Sequence, residues 1–404
     1  MCIGIIAEYN PFHSGHLYHL NQAKALRPSS PVVVVMSGHF VQRGEPALVD
    51  KWTRAKTAVA CGADLVIELP HLYASQSAEL FAKGAIGVLK STGVVRDILF
   101  GSESGDVSLL KNTAGQLIEK KGELDLLIRE YLQKGFSYPK ARSRAMEEAG
   151  LLSTHHPNDI LGIEYIRQIF LQNSDIHPHC IQRKGAGYNN FSLKGEFSSA
   201  TAIRRRLFMH SKIESSGVWE ILSPSLLPTP SLEILKTKKP LFHEDFFELT
   251  RYSVLRNRES LHEIFEIEEG LEHLIVKSAM KCSSFSDLCS SVKSKRYTLN
   301  RIRRVLYNIL LGVKKTSMEI VKNSDDNPYI RILAFNDRGR NCLKEMKKHT
   351  KAAIINKTTA FRPSSPLEEI LFHYDMLATQ IYNLKGELAA NLSADCITSP
   401  QYLQ

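Results

Sequence analysis

Four β-branched residues in a row, Val32–Val35 inside the run Pro31–Met36 (PVVVVM), narrow the fold more than any other feature of this chain. Side chains of a strand point alternately to its two faces, so a strand apolar at every position must be covered on both sides. That is the environment of a central strand in a parallel sheet. The neighbouring segments agree. Ile3–Ala7 reads as a buried strand and Leu17–Leu26 as the helix after it. Lys51–Cys61 reads as the next helix, ended by Gly62, and Ala63–Leu69 as a third strand. Ser77–Lys90 follows as a third helix, and Ile98–Phe100 as a fourth strand stopped by Gly101. The β-α-β-α order predicts an α/β fold with right-handed crossovers, whose ligands lie beyond the carboxyl ends of the strands.

Further on, Asp106–Leu151 is rich in helix formers, Pro178–Gln182 reads as a short strand, and Ser198–Leu207 as a helix start. At 404 residues the chain is long for one core. We place a first domain at 1–210 and a second, mainly α-helical domain at 211–404, with turn signals at Ser223–Pro230 and Thr237–Pro240. Lys and Arg number 52 against 42 Asp and Glu, a net charge of +10, which permits a polyanionic partner without requiring one. The segment Val292–Ser317 contains no acidic residue. Ile302, Leu306, Ile309 and Val313 form its apolar stripe, and Arg296, Arg301 and Arg304 fall away from it. That pattern serves either contact with a nucleic-acid backbone or a solvated helix face. The seven cysteines are scattered and form no C-x-x-C, which argues against a disulfide framework or zinc cluster and for a reducing compartment. No apolar stretch is long enough for a bilayer, so a cytoplasmic protein without a membrane partner is expected.

The chemistry concentrates in EYNPFHSGHLYHL, directly after the first strand. Gly15 permits close approach of a ligand to the backbone, and the helix beginning here aims free amides and its positive dipole end over the sheet. His13 and His16, three apart, can both face one anion there and stabilise charge on departing pyrophosphate. The same two rings would also serve as a metal pair or as plain polar loop residues. Lys51 and Arg54 share a helical face and add positive charge near the cleft, or are simply solvated. Glu68 ends a buried strand and needs a partner, whether structural or positioning a base.

The segment resembles the HxGH signature of the adenylyltransferase superfamily, and Ser199, Thr201 and Arg204 of SSATAIRRRL resemble its S/T-x-x-R helix start. Taken alone, that stretch is also an ordinary capped basic helix. The match goes further. EYNPFHSGHLYHL, MSGHFVQRGEPALVDKW, DLVIELP, LFGSES, PNDILGIEY, SATAIR, YTLNRIRRVLYNILL and YIRILAFNDRGR follow the order of the bacterial tRNA(Met) cytidine acetate ligase family.

The resemblance implies a Rossmann-like, parallel-sheet nucleotidyltransferase domain followed by the helical one. It implies an ATP-dependent ligase that makes acetyl-adenylate from acetate and ATP, with Mg²⁺ as companion ion. The acetyl group then passes to the wobble cytidine of elongator tRNA(Met), giving N4-acetylcytidine. ATP would contact Ala7, Glu8, Tyr9, Asn10, Pro11, Phe12, His13, Ser14, Gly15, His16, Leu17, Tyr18, His19 and Leu20. Gly101, Asn158, Arg183, Ser199, Thr201 and Arg204 complete the expected nucleotide site, and His13, His16 and Lys51 are the expected catalytic groups. Asn158 serves equally as a helix N-cap. From its place over the end of the second strand, the loop Ser37–Glu45 is expected on the acid or acceptor side of the cleft. Two other functions fit less of the pattern: an HxGH adenylyltransferase acting on a small phosphorylated substrate, and a non-catalytic RNA-binding protein.

Overall fold

The computed structural model describes residues 1–151, 154–183, 199–211, 219–222, 225–268, 270–324, 328–387 and 393–404. Ser198 and Ser223, which open two of the expected segments, lie outside them. The first elements alternate as the apolar runs predict: β1 (Cys2–Ala7), α1 (Ser14–Leu26), β2 (Val32–Ser37), the short strands β3 (Phe40–Val41) and β4 (Glu45–Pro46), α2 (Lys51–Ala60) and β5 (Leu65–Leu69). Next come α3 (His71–Ala74), α4 (Ala78–Ser91), β6 (Val95–Ser102), α5 (Val107–Glu119), α6 (Lys121–Gln133), α7 (Tyr138–Glu148), α8 (Pro157–Leu171), β7 (His177–Gln182) and α9 (Ala200–Ser211).

The C-terminal half is mainly helical: α10 (Thr229–Leu235), α11 (Phe247–Arg256), α12 (Leu271–Ala279), α13 (Phe285–Val292), α14 (Leu299–Leu311), α15 (Lys315–Asn323), α16 (Asp337–His349), α17 (Pro366–Asn383) and α18 (Ala394–Ile397). It also supplies β8 (Ile330–Phe335), β9 (Ile354–Ile355) and β10 (Gln401–Tyr402).

The main sheet runs β10-β8-β5-β2-β1-β6-β7, with β9 on β8. Every pairing is parallel except β5 with β8. All six residues of β2 are buried, as a strand covered on both faces requires. The valines alternate: Val33 and Val35 enter the core shared with α4 and α8, Val32 and Val34 the core shared with α1 and α2. The first of these cores continues without a break into Leu306, Tyr307 and Tyr382 of the C-terminal helices. The expected boundary near residue 210 is therefore crossed by one apolar core and by the sheet itself.

The fourth strand does not stop at Gly101. Its pairing with β7 continues through Gly101–Ile181 and Ser102–Gln182.

Candidate active site

The turn after β1 places two imidazoles at the start of α1. His13 is the N-cap, with Nδ1 accepting from Gly15 N at 3.0 Å. His16, at the third helical position, accepts from His13 N through its own Nδ1 at 3.3 Å. The pair is a capping box built from histidines. Their rings stack with centroids 3.8 Å apart. A neutral ring that accepts at Nδ1 carries its proton on Nε2, and the His16 ring also meets the Pro11 backbone. Burial comes first among the causes that hold the His13 pKa down to about 3, followed by Arg183 and Arg204. Burial and the neighbouring His13 push His16 well below the usual imidazole value. Both rings are neutral donors at pH 7.

The turn is braced from several sides. Ser14 Oγ donates to Ser225 O at 2.8 Å, Ser14 N to Leu226 O at 3.0 Å, and Ser231 Oγ to Phe12 O at 2.8 Å. Leu48 N donates to Asn10 Oδ1 at 2.8 Å. Tyr9 and Phe12 are buried and pack against the His16 ring. Leu17 and Leu20 belong to the core under α1, and His19 Nε2 meets Leu99 O at 3.0 Å.

His13, His16 and His19 border a cavity of about 240 Å³ over the ends of β1 and β6. From the expected nucleotide set it gathers Ala7, Glu8, His13, Gly15, His16, Tyr18, His19, Gly101, Asn158, Arg183, Ser199, Thr201 and Arg204. Tyr9, Asn10, Pro11, Phe12, Ser14, Leu17 and Leu20 do not border it; they hold the turn in shape. Ser199 Oγ accepts from Ala202 N at 3.2 Å, so it caps α9 as well as facing the cavity. Arg204 donates to Asn10 O at 3.0 Å and pairs with Glu45 at 2.8 Å.

Asn158 is not an N-cap. It follows Pro157 inside the first turn of α8, and its amide bridges two partners: Nδ2 donates to Glu103 Oε1 at 2.6 Å, and Oδ1 accepts from Arg183 at 3.0 Å. Gly101 sits under the Arg183 side chain, where a Cβ would lie 3.2 Å from Arg183 Cγ.

Lys51 is not brought to the cavity. It is fully buried, with Nζ 2.8 Å from Glu68 Oε1 and 2.9 Å from Asp395 Oδ1. Arg331 of β8 closes the same network, 3.3 Å from Glu68 and paired with Asp395. Glu68 is thus a structural partner of two cations. Arg54, also buried, ties the active-site loops together by donating to the carbonyls of Glu8 (2.7 Å), Ser37 (2.9 Å), Val49 (3.2 Å) and Gly38.

Sequence reasoning missed Gln42 and Arg43 as cavity residues, although it placed their loop at the cleft. Arg43 donates to Thr201 Oγ1 at 3.0 Å, and Gln42 N donates to Glu8 Oε1 at 2.9 Å. It also missed the apolar wall of Ile6, Phe81, Phe100, Leu161, Tyr165 and Ile181.

The basic helix is less open than its composition implies. Arg301 pairs with Glu268 at 2.5 Å, Arg303 with Glu45 at 3.0 Å and Arg304 with Glu266 at 3.3 Å. Among the described residues no cluster of three or more His, Cys, Asp or Glu could hold a metal ion. No helix among them is long and apolar enough to cross a membrane.

Comparison with known proteins places this geometry. The profile of the family described as HIGH Nucleotidyl Transferase matches residues 1–394. The tRNA(Met) cytidine acetate ligase of Alkaliphilus metalliredigens is 39% identical over 99% of this chain and 98% of its own length. The protein of the same name from Clostridium perfringens is 40% identical over 98% of each. The crystal structure of Thermotoga maritima TmcAL bound with alpha-thio ATP matches with a TM-score of 0.88 at 36% identity, covering both chains entirely.

Proposed function

The chain belongs to the tRNA(Met) cytidine acetate ligase family of HIGH nucleotidyl transferases, and from that we propose how its cavity activates acetate with ATP and delivers the acetyl group to tRNA(Met). One observation carries the reading: two stacked imidazoles, each accepting a backbone amide at Nδ1, sit at the N-terminal mouth of a helix and border the cavity.

In the first step a carboxylate oxygen of acetate attacks the α-phosphorus of ATP. The bond from that phosphorus to the α,β-bridging oxygen breaks, and pyrophosphate leaves with the electron pair. His13, His16 and the amide end of α1 stabilise the charge that grows on the leaving group. Ser199, Thr201 and Arg204 hold the triphosphate end. Asn158, Gly101 and Arg183 receive the adenosine. In the second step the N4 amine of the cytidine attacks the acetyl carbonyl, AMP leaves, and the amine's proton passes to solvent. The cytidine amine is a poor nucleophile because its lone pair is delocalised into the ring, so prior activation of the acid and close positioning make this step feasible.

Mg²⁺ travelling with ATP would be held mainly by phosphate oxygens, with Glu8 the one carboxylate among the described cavity residues, and would neutralise phosphate charge. In this scheme residues 1–210 carry the nucleotide chemistry. Residues 211–404 carry the contact with tRNA, through exposed cations such as Lys293, Lys295 and Lys315 beside α14.

The test is exchange of labelled pyrophosphate into ATP without tRNA, followed by analysis of tRNA(Met) for acetylated cytidine. Acetate-dependent exchange and N4-acetylcytidine are expected. Exchange that needs a phosphate ester instead points to an adenylyltransferase. tRNA binding with no exchange points to a non-catalytic binding protein.

A further inference from the structure

The cavity straddles the end of β1, and its two sides differ in kind. Ala7 belongs with the core under α1, on the side of the histidines; Ile6, one residue earlier, belongs with the core under α4 and α8. On this second side the wall is apolar: Ile6, Phe81 of α4, Phe100 of β6, and Leu161 and Tyr165 of α8. The rings close on one another, Phe100 to Tyr165 at 5.7 Å and Phe81 to Tyr165 at 6.5 Å.

The course of α8 decides which part of the reaction this corner serves. Asn158, Leu161 and Tyr165 lie on one helical face. Seven residues separate the first from the last, about 10 Å along the axis. Asn158, at the top, meets Arg183 and Glu103 and offers polar edges suited to a base and ribose. Tyr165, two turns deeper, lies among hydrocarbon. Its hydroxyl has no hydrogen-bond partner among the described residues, and burial, followed by the charge of Glu8, raises its pKa.

With adenosine at the Asn158–Arg183 end and the phosphates at His13, His16 and Arg204, the corner is what remains next to the α-phosphate. We propose that it is the acyl subsite: it takes the methyl of a short aliphatic carboxylate, and Phe81 and Phe100 limit the chain length. Tyr165 Oη donates to one carboxylate oxygen and leaves the other to face phosphorus. The proposal rests on the acid-activating function above and adds to it the residues that choose the acid.

The experiment compares acetate, propionate and butyrate as supporters of ATP–pyrophosphate exchange in the wild type, Phe81→Ala, Phe81→Leu, Leu161→Ala and Tyr165→Phe, with ATP affinity measured alongside. The wild type is expected to lose kcat/KM by about tenfold or more for each added methylene, the discrimination a filled apolar pocket achieves. Phe81→Ala should erase most of that preference. Phe81→Leu and Leu161→Ala, milder changes in case the first does not fold, should shift it in the same direction with ATP affinity kept. Tyr165→Phe should raise KM for acetate several-fold and leave ATP affinity unchanged.

An unchanged chain-length profile in the Phe81 and Leu161 variants overturns the subsite, as does loss of ATP affinity in them, which would make the corner the base pocket. Unchanged acetate KM in Tyr165→Phe overturns the hydrogen bond. If no acid supports exchange even in the wild type, the acid-activating function itself falls, a failure distinct from the others.

Discussion

Glu45, at the end of the loop after β2, holds Arg204 of α9 with Oε2 2.8 Å from Nη2, and the same carboxylate meets Arg303 of α14 at 3.0 Å. Burial alone would raise its pKa; Arg204, His243 and Arg303 outweigh that and keep it well below the usual carboxylate range. Arg204, proposed to hold the triphosphate end, is thereby aimed by a residue from a different loop and linked to the C-terminal helices.

Glu45→Gln keeps the volume and removes the charge. Arg204 then loses its charged partner and keeps the bonds to Asn10 O and Thr201 Oγ1, so the guanidinium at the triphosphate end is less firmly aimed. A rise of about tenfold in the KM for ATP is expected, the scale of losing one well-oriented charged hydrogen bond. Steady-state exchange kinetics with ATP varied check it, and an unmoved KM with normal folding rejects the positioning role.

His16 serves both helix and ligand, and Asn at this position separates the two. The Asn Oδ1 can take the bond from His13 N that His16 Nδ1 accepts, while no donor remains where Nε2 stood. His16→Asn should keep the melting temperature within a few degrees and lower the exchange rate by about a hundredfold, as loss of one transition-state donor does. Full activity in that variant would remove His16 from the chemistry.

Lys51→Met tests the network behind the site. Glu68 and Asp395 would lose one of their two cations while staying buried. Breaking such a pair costs about 3 kcal/mol or more. Urea unfolding should show that loss, while ATP affinity at low temperature stays within about twofold because Lys51 does not border the cavity. Unchanged stability with lost ATP binding would restore Lys51 as a catalytic group.

Stability should fall on the acid side of neutrality. Burial lowers the pKa of His13, His16, His19, His39, His71 and His243 below the usual 6.5, His19 and His71 to about 4. Unfolding frees these rings to take protons below pH 6.5, so their contribution is present above 6.5 and fades as pH drops toward 3–4. Asp375 acts in the opposite sense: burial and the nearby Glu68 raise it to about 7, and its contribution fades as pH climbs from 3.8. Six rings outweigh one carboxyl. Melting temperatures measured from pH 5 to 7.5 should rise with pH, and a flat or falling trend would contradict the assignment.

Much of this was readable from the chain. The valine run placed β2 in the middle of the sheet, and the apolar periodicity ordered β1, β2, β5 and β6. The HxGH turn marked the pair of histidines that borders the cavity. Each of these signals is local: side-chain alternation, a helix start and a glycine act within a few residues, so sequence alone carries them. The tertiary structure decided the rest. Lys51 and Arg54 read as cations of the cleft or of a solvated face because one helical face carries both; only β8, entering antiparallel beside β5 with Arg331, and α18, bringing Asp395, complete the buried network that holds Lys51 and Glu68. Glu45 and Arg204, and the ring cluster of Phe81, Phe100 and Tyr165, come from elements remote in sequence. No residue pattern specifies which remote partner a buried charge or ring will meet; chain packing selects it, because each buried charge needs a countercharge or hydrogen-bond acceptors and each ring a filled neighbour.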